Sequence, residues 1–545
     1  MTTISTKTIA AFVSAGLLIY GAFAETNIKT KQKFYADDPI WSSPRPIAVH
    51  DLSARKLSEY YDFFNNTFFP SGDRAPRKGI YLPSEAINTV DEAPDSAWYT
   101  NRHATRAMSV SELQAGPGDS QAPAPGSWTV VAAKNEGITP GFRIRDNAGR
   151  QYLLKFDPLT NPEMASAADV ITSKFFYALG YNVPENYVVY FDREQIVIGK
   201  DAQVKDAQGH KRAIRSTDVD EMLAKTPRSA DGKYRGMASL LLKGKPLGPF
   251  KYDGTRADDP NDLVAHENRR DLRALRTFCA WLGHDDSKAL NTLDVLGEKN
   301  GTPIIQHYLI DFGAALGSAS FMANSPRDGN VYLFDWKTSA SQFLTLGLYS
   351  PKWQHARYPK LAAVGRFEYE IFDPTQWVGD YPNAAFRNEN PADRLWAARK
   401  IAAFTEAEIR AMVATGRYSD RAAEEWVVRC LVERRKKILN AYLTGTAALD
   451  RFEVRGDKLE MTHLGTATAP ATLKVQWSTF NNQNGGRSTI PGATSLELPT
   501  QAADSEYLMA EITGAKGPSV WVYVRAGERA SVVGVERHFA IESRK

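Results

Sequence analysis

The chain has 545 residues, of which 43% are hydrophobic, 11% aromatic and 24% charged. This share of apolar side chains excludes a disordered or collagen-like protein, and the length allows about two to four domains. The 67 basic and 63 acidic residues leave a formal net charge of +4, so we expect no nucleic-acid partner. Two cysteines, Cys279 and Cys430, exclude a disulfide framework and a four-thiolate zinc site.

The first 24 residues have the pattern of a secretory signal peptide. Lys7 precedes an apolar run from Ile9 to Tyr20, and Ala22-Phe23-Ala24 has the small-x-small spacing of a cleavage site. The run is shorter than the roughly 20 residues that span a bilayer. We therefore expect cleavage after Ala24, export to a periplasmic or extracellular location, and no transmembrane segment in the mature chain. An oxidising compartment would permit a Cys279–Cys430 bridge.

The next part of the chain reads as an extension followed by strands and a helix. Ala115–Ser127 is rich in Gly and Pro and predicts a linker. Alternating and β-branched residues then predict three strands, at Trp128–Lys134, Phe142–Arg145 and Gln151–Phe156. After them we expect a helix capped by Asn161, with Pro162 in its first turn, ending at Gly180.

Helical patterns dominate from Leu263 onward, and short strands follow Asp450. The helices are predicted on apolar spacing and capping signals at Ala392–Phe404, Glu406–Thr415 and Arg421–Leu443. The later strands are predicted at Leu473–Trp477, Tyr507–Ile512, Val520–Val524 and Ser531–Val535. Because these strands are separated by Gly, Asn and Pro, they indicate a small all-β domain.

Two motifs carry the chemistry. The first is HDDSKALN at His284–Asn291, with His, Asp, Lys and Asn spaced as H-x-D-x-K-x-x-N. The second is YLIDFG at Tyr308–Gly313, an apolar strand that ends in Asp-Phe-Gly. Between them, Glu298–Thr302 contains an Asn-Gly pair that favours a hairpin turn. Together they resemble the catalytic loop and metal-binding motif of the protein-kinase-like fold, in the order of its helical lobe.

This resemblance implies an α+β fold with a two-lobed kinase-like core, a β-rich N-lobe and a helical C-lobe. An N-terminal extension would precede the core and a small all-β domain would follow it. The expected divisions are a signal peptide (1–24), an extension and Pro/Gly linker (25–127), the N-lobe (128–205), the C-lobe (206–450) and a β-sandwich-like domain (451–545). The branch most similar in its helix exit, LGYNVPE, is that of HipA-type toxin kinases and secretory-pathway kinases.

On the nucleotide side, the resemblance implies that Lys155 in YLLK orients the phosphates as a point charge. A carboxylate should hold Lys155, and Asp169 and Glu163 are both candidates; we favour Asp169, because a glutamate occupies a similar mid-helix place in those families. Gly137 and Gly141 are candidate nucleotide-binding residues, although NEGITPG departs from G-x-G-x-x-G.

On the acceptor side, the resemblance implies that Asp286 accepts the acceptor's proton and that Lys288 neutralises the transferring phosphoryl group. Asn291 and Asp311 supply oxygen ligands, which suit Mg²⁺ or Mn²⁺ bound with ATP. In this sequence Asp285 stands where the family usually has an arginine.

The sequence therefore predicts an exported, atypical kinase-like phosphotransferase whose partners are a nucleotide and a protein, glycan or small-molecule acceptor. Two alternatives stay open. One is a kinase-fold pseudoenzyme or scaffold whose β-domain binds a surface partner. The other is an AMPylating nucleotidyltransferase on the same fold.

Overall fold

The structure is a computed structural model that describes residues 32–50, 52–73, 81–119, 122–133, 141–205, 210–345, 350–465, 472–500 and 505–539. The predicted signal peptide and Gly137 lie outside the described residues. Among the helices within these ranges, none combines the length and the apolar composition that crossing a bilayer requires.

The helices and strands alternate through the first half of the chain and separate in the second half. The helices are α1 (Glu59–Phe68), α2 (Val110–Ala115), α3 (Met164–Leu179), α4 (Ser216–Leu223), α5 (Arg270–Leu282), α6 (Trp336–Leu344), α7 (Ala384–Arg387), α8 (Pro391–Ala402), α9 (Glu406–Val413) and α10 (Arg421–Tyr442). The strands up to the second motif are β1 (Trp128–Ala133), β2 (Gly141–Arg145), β3 (Gln151–Lys155), β4 (Asn186–Phe191), β5 (Ile196–Lys205), β6 (Lys211–Ala213), β7 (Tyr234–Leu240), β8 (Lys245–Gly248), β9 (Thr292–Lys299) and β10 (Thr302–Leu309). The later strands are β11 (Leu449–Arg455), β12 (Lys458–His463), β13 (Lys474–Phe480), β14 (Arg487–Thr489), β15 (Tyr507–Thr513), β16 (Ser519–Arg525) and β17 (Ser531–His538).

A seven-stranded sheet carries the first candidate residue, Lys155. Its strand order is β4-β7-β3-β2-β1-β5-β6, with β1 and β5 parallel and the other neighbours antiparallel. Strand β7 lies between β3 and β4, so the sheet extends past residue 205. Apolar side chains such as Ile144, Tyr152 and Leu154 form its buried core.

Helix α3 packs beside this sheet, and its start differs from the prediction. The helix begins at Met164, because Glu163 adopts a left-handed backbone conformation with φ of 70°. Asn161 does not cap it and instead donates to the Ala362 carbonyl at 2.8 Å. Buried Asp157 instead satisfies a donor of the first turn: it accepts from the Ser166 amide at 2.8 Å, and from the Ser166 hydroxyl at 2.6 Å.

The main apolar core lies among the helices of the second half. Helices α5, α8 and α10 pack together, and Trp281 and Trp396 are fully buried between them. Cys279 and Cys430 also lie in this core, and both are free thiols. Thr405 caps α9 in a capping box with Glu408, as the sequence predicts.

Strands β8, β9 and β10 form a second sheet beside the helices. Strands β9 and β10 pair in an antiparallel hairpin, with Thr302 opposite Lys299. Asn300 and Gly301 have positive φ values of 52° and 76°, the conformation that a tight hairpin turn favours in Asn-Gly. The hairpin therefore joins the end of the first motif directly to the strand that leads into the second.

The last strands form a two-stranded ribbon, β11–β12, and a five-stranded antiparallel sheet in the order β14-β13-β15-β16-β17. Trp477 is fully buried in the core that the ribbon and sheet share. Residues of the N-terminal extension complete this region: Phe34 packs against Tyr507 and Tyr523, and Lys33 pairs with Glu536 at 2.6 Å.

Candidate active site

The two motifs are held together by hydrogen bonds and ring contacts. Helix α5 ends at Gly283, whose φ of 61° turns the chain into His284. The His284 ring nitrogen Nδ1 lies 2.8 Å from the Ala314 carbonyl, and the ring packs against Phe312 with centroids 5.7 Å apart. The Ile310 amide donates to the Asn291 carbonyl at 3.0 Å. These contacts place Asp311 beside the first motif.

Lys155 joins the seven-stranded sheet to this pair of motifs. Its Nζ lies 3.1 Å from Asp169 Oδ2 and 2.8 Å from Asp311 Oδ1. Strand β2 runs close to it: Gly141 pairs with Lys155, and a side chain at Gly141 would collide with the Leu154 carbonyl. Gly141 is thus placed next to Lys155, and its lack of a side chain permits the approach of the strands.

Of the two carboxylates considered as partners for Lys155, Asp169 is the one in contact. Asp169 is buried on α3, and it also accepts from the Asn186 side-chain amide at 2.9 Å and from the Phe312 backbone amide at 3.3 Å. Glu163 accepts from the Ser419 amide at 2.8 Å. Asp169 therefore ties helix α3, strand β4 and the Asp-Phe-Gly motif to the lysine.

Charge and burial act against each other at this cluster. Burial alone would lower the pKa of Lys155, but Asp169 and Asp311 raise it above its ordinary value, so the ammonium stays charged. Burial raises the pKa of Asp169, and the neighbouring charge of Asp311 adds to that effect while Lys155 opposes it. A single lysine is thus shared between two carboxylates, and a further cation would find excess negative charge here.

Asp286 belongs to a second group of charged side chains, which also contains Lys288 and Glu59. It accepts from the Asn291 amide at 2.9 Å and pairs with Lys288 at 3.0 Å. Lys288 also pairs with Glu59 of α1 at 2.5 Å. Burial would lower the pKa of Lys288, but Asp286 and Glu59 raise it, so the lysine is a cation at neutral pH. Glu59 of the extension thus supplies a carboxylate to the His284–Asn291 motif.

Asn291 and Asp311 fit the chemistry of a magnesium or manganese site. The Asn291 amide nitrogen donates to Asp286, both to its carbonyl at 2.6 Å and to its carboxylate, which leaves the amide oxygen to act as a ligand. Asp311 has a φ of 60° and a side chain that is 39% exposed, so its carboxylate is accessible. Within the described residues no three His, Cys, Asp or Glu side chains form a metal cluster. A metal would therefore need further oxygen ligands from phosphates and water.

The space next to Lys155 is narrow. A cavity of about 10 Å³, room for about one water molecule, is lined by Lys155, Asp169, Met237, Asp311, Gly313 and Ser320 among others. Ser320 closes it from the segment after the Asp-Phe-Gly motif, and its φ of 67° is unusual for a serine. A phosphate that contacts this part of the lysine needs more room than the cavity provides.

Asn186 and Glu59 belong to the site and were not predicted from the sequence. Asn186 follows Asp169 by 17 residues and Glu59 precedes Lys288 by 229 residues, so neither contact has a local spacing signal. Glu59 is the first residue of α1, in an aromatic stretch of the extension.

No protein-family model matches the sequence, and no curated protein is significantly similar to it. Several solved structures do match. The Helicobacter pylori proinflammatory kinase CtkA aligns over 58% of this chain and 97% of its own, with 12% identity and a TM-score of 0.31.

The Golgi casein kinase with Mn/ADP bound aligns over 61% of this chain and 75% of its own, with 10% identity and a TM-score of 0.28. A second structure of the Golgi casein kinase aligns over the same shares, with 9% identity and a TM-score of 0.28. These neighbours are kinases, but at such TM-scores the similarity alone assigns no activity to this chain.

Proposed function

We propose that the protein is an atypical kinase-like phosphotransferase that uses a nucleotide bound with Mg²⁺ or Mn²⁺. One observation carries the proposal: Lys155 on a strand contacts both Asp169 on a helix and Asp311, which follows it by 156 residues. Catalysis of phosphoryl transfer consists mainly of positioning and charge neutralisation, and this cluster offers both.

The nucleotide side has a defined division of roles. Lys155 would orient the phosphates, and Asp169 with Asn186 would hold the lysine in place. Asn291 and Asp311 would hold the metal, which would supply charge neutralisation on the phosphate oxygens. Because Asp311 already pairs with Lys155, phosphates bound between them would be fixed from both sides. Ser320 would leave its position when a phosphate enters.

The acceptor side depends on Asp286. Its carboxylate would orient the acceptor hydroxyl and accept its proton as the new oxygen–phosphorus bond forms and the bond to the leaving nucleotide breaks. Asn291 and Lys288 hold the Asp286 carboxylate in place. Lys288 would also stabilise the negative charge of the transferring group, and its pairing with Glu59 keeps the side chain positioned.

Export remains part of the proposal, on the signal-peptide pattern of the first 24 residues. The acceptor is proposed as a hydroxyl of a protein, a glycan or a small molecule. AMP transfer is the second candidate, because the same lysine and metal ligands can hold a nucleotide in either direction along the cleft.

Labelled nucleotides test the proposal and separate the two reactions. The purified chain is incubated with Mn²⁺ and with ATP labelled either in the γ- or in the α-phosphate, and label is followed on inorganic phosphate and on the chain itself. We expect label from the γ-phosphate, and not from the α-phosphate, to appear on inorganic phosphate or on the chain itself. Transfer of α-label would replace kinase activity by AMP transfer, and the absence of both transfer and nucleotide binding would favour the scaffold alternative.

A further inference from the structure

A larger cavity lies beside the catalytic segment and outside the site described above. It measures about 270 Å³. Its lining includes Asp285, Asn324, Asp328, Trp353 and Trp377, whereas Lys155, Asp169, Asp286, Asn291 and Asp311 take no part in it. The cavity is therefore separate from the proposed nucleotide and metal site, although Asp285 and Asp286 are adjacent in the chain.

The cavity contains a buried carboxylate that no cation neutralises. Asp285 is 6% exposed, and its carboxylate accepts from the Asn324 side-chain amide at 2.9 Å. Among the described residues no lysine, arginine or histidine forms an ion pair with it. Burial raises the pKa of Asp285 well above its usual range, and the nearby charges of Asp380 and Asp328 add to this shift.

Three cations line the cavity, and none of them forms an ion pair with Asp285 among the described residues. The Arg434 guanidinium donates to the Glu368 and Ala280 carbonyls at 2.6 and 3.0 Å, and it stacks on Phe367 and Phe372. Arg366 donates to the Asn324 carbonyl at 2.5 Å. The third cation, Lys352, is exposed. Among the described residues, the Asp285 carboxylate therefore has a neutral amide donor but no cationic partner.

Asn324 gives a second, independent sign of a missing ligand. The residue is 7% exposed and lines the cavity, and its Oδ1 is buried with no hydrogen-bond partner among the described residues. A buried acceptor without a donor is costly, on the order of 1–3 kcal/mol. The cavity therefore presents a carboxylate and an unpaired amide oxygen to a donor from outside, and Trp353, Tyr358 and Trp377 are among the residues that line it.

We propose that this cavity binds a small organic cation, an alkylammonium or guanidinium group. Its N–H groups would donate to Asp285 and to Asn324 Oδ1, and its charge would lie among Trp353, Trp377 and the other aromatic rings. A metal ion fits less well, because the volume is much larger than a single ion and the walls are aromatic. The inference does not depend on the proposed phosphotransferase activity.

Binding of methylguanidinium, with the neutral N-methylurea as a matched probe, tests the proposal. Both are titrated into the full chain without nucleotide, and binding is followed by saturation-transfer NMR. We expect saturable binding of methylguanidinium, at least about tenfold tighter than that of methylurea, because the cation adds a charge-assisted hydrogen bond. Equal affinity for the two probes, or no saturable binding of methylguanidinium, would overturn the proposal.

Two variants locate the binding. Asp285→Asn should weaken methylguanidinium binding at least about tenfold. Trp353→Leu, at a half-buried residue whose replacement leaves the core intact, should weaken it several-fold through loss of a ring. The second variant keeps the test valid if the first does not fold. Wild-type affinity in a folded Asp285→Asn protein would contradict the assignment, and so would wild-type affinity in Trp353→Leu if Asp285→Asn does not fold.

A peptide distinguishes two sources of such a cation, an arginine side chain of a polypeptide and a free small molecule. Acetyl-Gly-Arg-Gly-amide is compared with the same peptide carrying neutral citrulline, each in competition with methylguanidinium. Competition by the arginine peptide alone would identify the side chain of a polypeptide as the ligand. If neither peptide competes while methylguanidinium still binds, the ligand is a free small cation.

Discussion

The cluster around Lys155 and Lys288 and the cavity at Asp285 differ in whether their carboxylates contact a cation. On one side, Lys155 and Lys288 each contact two carboxylates. On the other side, Asp285 lines a cavity, and within the part of the chain that the structure describes its carboxylate accepts from the Asn324 amide and pairs with no cation. Asp285 and Asp286 are consecutive, yet their carboxylates have opposite surroundings. A carboxylate that pairs with a lysine of the protein is held in place, whereas the proposed partner of Asp285 is a cation from outside the chain.

The largest expected effect is on turnover, at Asp286, whose carboxylate pairs with Lys288. Asp286→Asn keeps the size of the side chain but removes the proton acceptor, so turnover should fall by about 10²–10⁴-fold. Nucleotide affinity should stay within a few-fold, because the residue acts on the acceptor. Asp201→Asn, at an exposed position of β5, is the control and should retain turnover. Equal turnover in Asp286→Asn and wild type would exclude Asp286 as the base.

Stability tests whether the Lys155 cluster is a held buried charge. Lys155→Ala leaves Asp169 buried beside a second carboxylate, and removing one partner of a buried pair costs about 3–5 kcal/mol of unfolding free energy. In Lys436→Ala, which breaks the exposed Lys436–Glu433 pair, the loss should be below about 1 kcal/mol. Urea denaturation of both variants measures the contrast. Similar small losses in the two variants would show that the cluster is open to water.

In the region of Asp285, the stability of the fold should depend on pH through Asp380. The Asp380 backbone amide donates to the Asp285 carbonyl at 3.0 Å. Burial and the charge of Asp286 raise the pKa of Asp380 from 3.8 to about 7. Between these values the folded chain keeps a proton that the unfolded chain has lost, so this group's contribution to stability falls as pH rises and levels off above 7.

Asp380→Asn removes that titration. The stability difference between the variant and wild type should therefore shift in favour of the variant from pH 4 to pH 7 and then remain constant. Denaturation curves collected across this pH range measure the difference. A difference that stays the same at every pH would show that Asp380 titrates alike in the folded and unfolded chain.

The smallest effect concerns the thiols near the cavity wall. Cys430 lies 3.7 Å from the carbonyl of Phe367, which lines the cavity, and Cys279 is fully buried on α5. Burial raises the pKa of both thiols, so neither should react with a thiol reagent such as Ellman's reagent in the native protein. Two thiols per chain should react in denaturant. Rapid native reaction of one thiol would indicate that the cavity wall opens.

Local signals predicted the elements that carry the site but only part of its contacts. The H-x-D-x-K-x-x-N spacing, the Asn-Gly turn and the Gly180 stop depend on neighbouring residues, and each can be read along the chain. Asn186 and Glu59 reach the site through tertiary packing, as Asn324 reaches Asp285, so no spacing identifies them. Helix α3 begins later than the Asn-Pro signal predicts. Glu163 adopts a left-handed conformation, and Asp157 rather than Asn161 accepts from the first turn.

Metal-dependent nucleotide binding at Asp311 tests the central claim most directly. Isothermal titration of Mn²⁺–ATP into wild type, Asp311→Asn and the control Asp201→Asn measures it, with Mg²⁺ and metal-free arms in parallel. We predict saturable binding that requires the metal in wild type and in the control, and a loss of at least about tenfold in Asp311→Asn, since a metal-ligating carboxylate is replaced by a neutral amide. Metal-independent binding, or equal affinity in Asp311→Asn and wild type, would contradict the account.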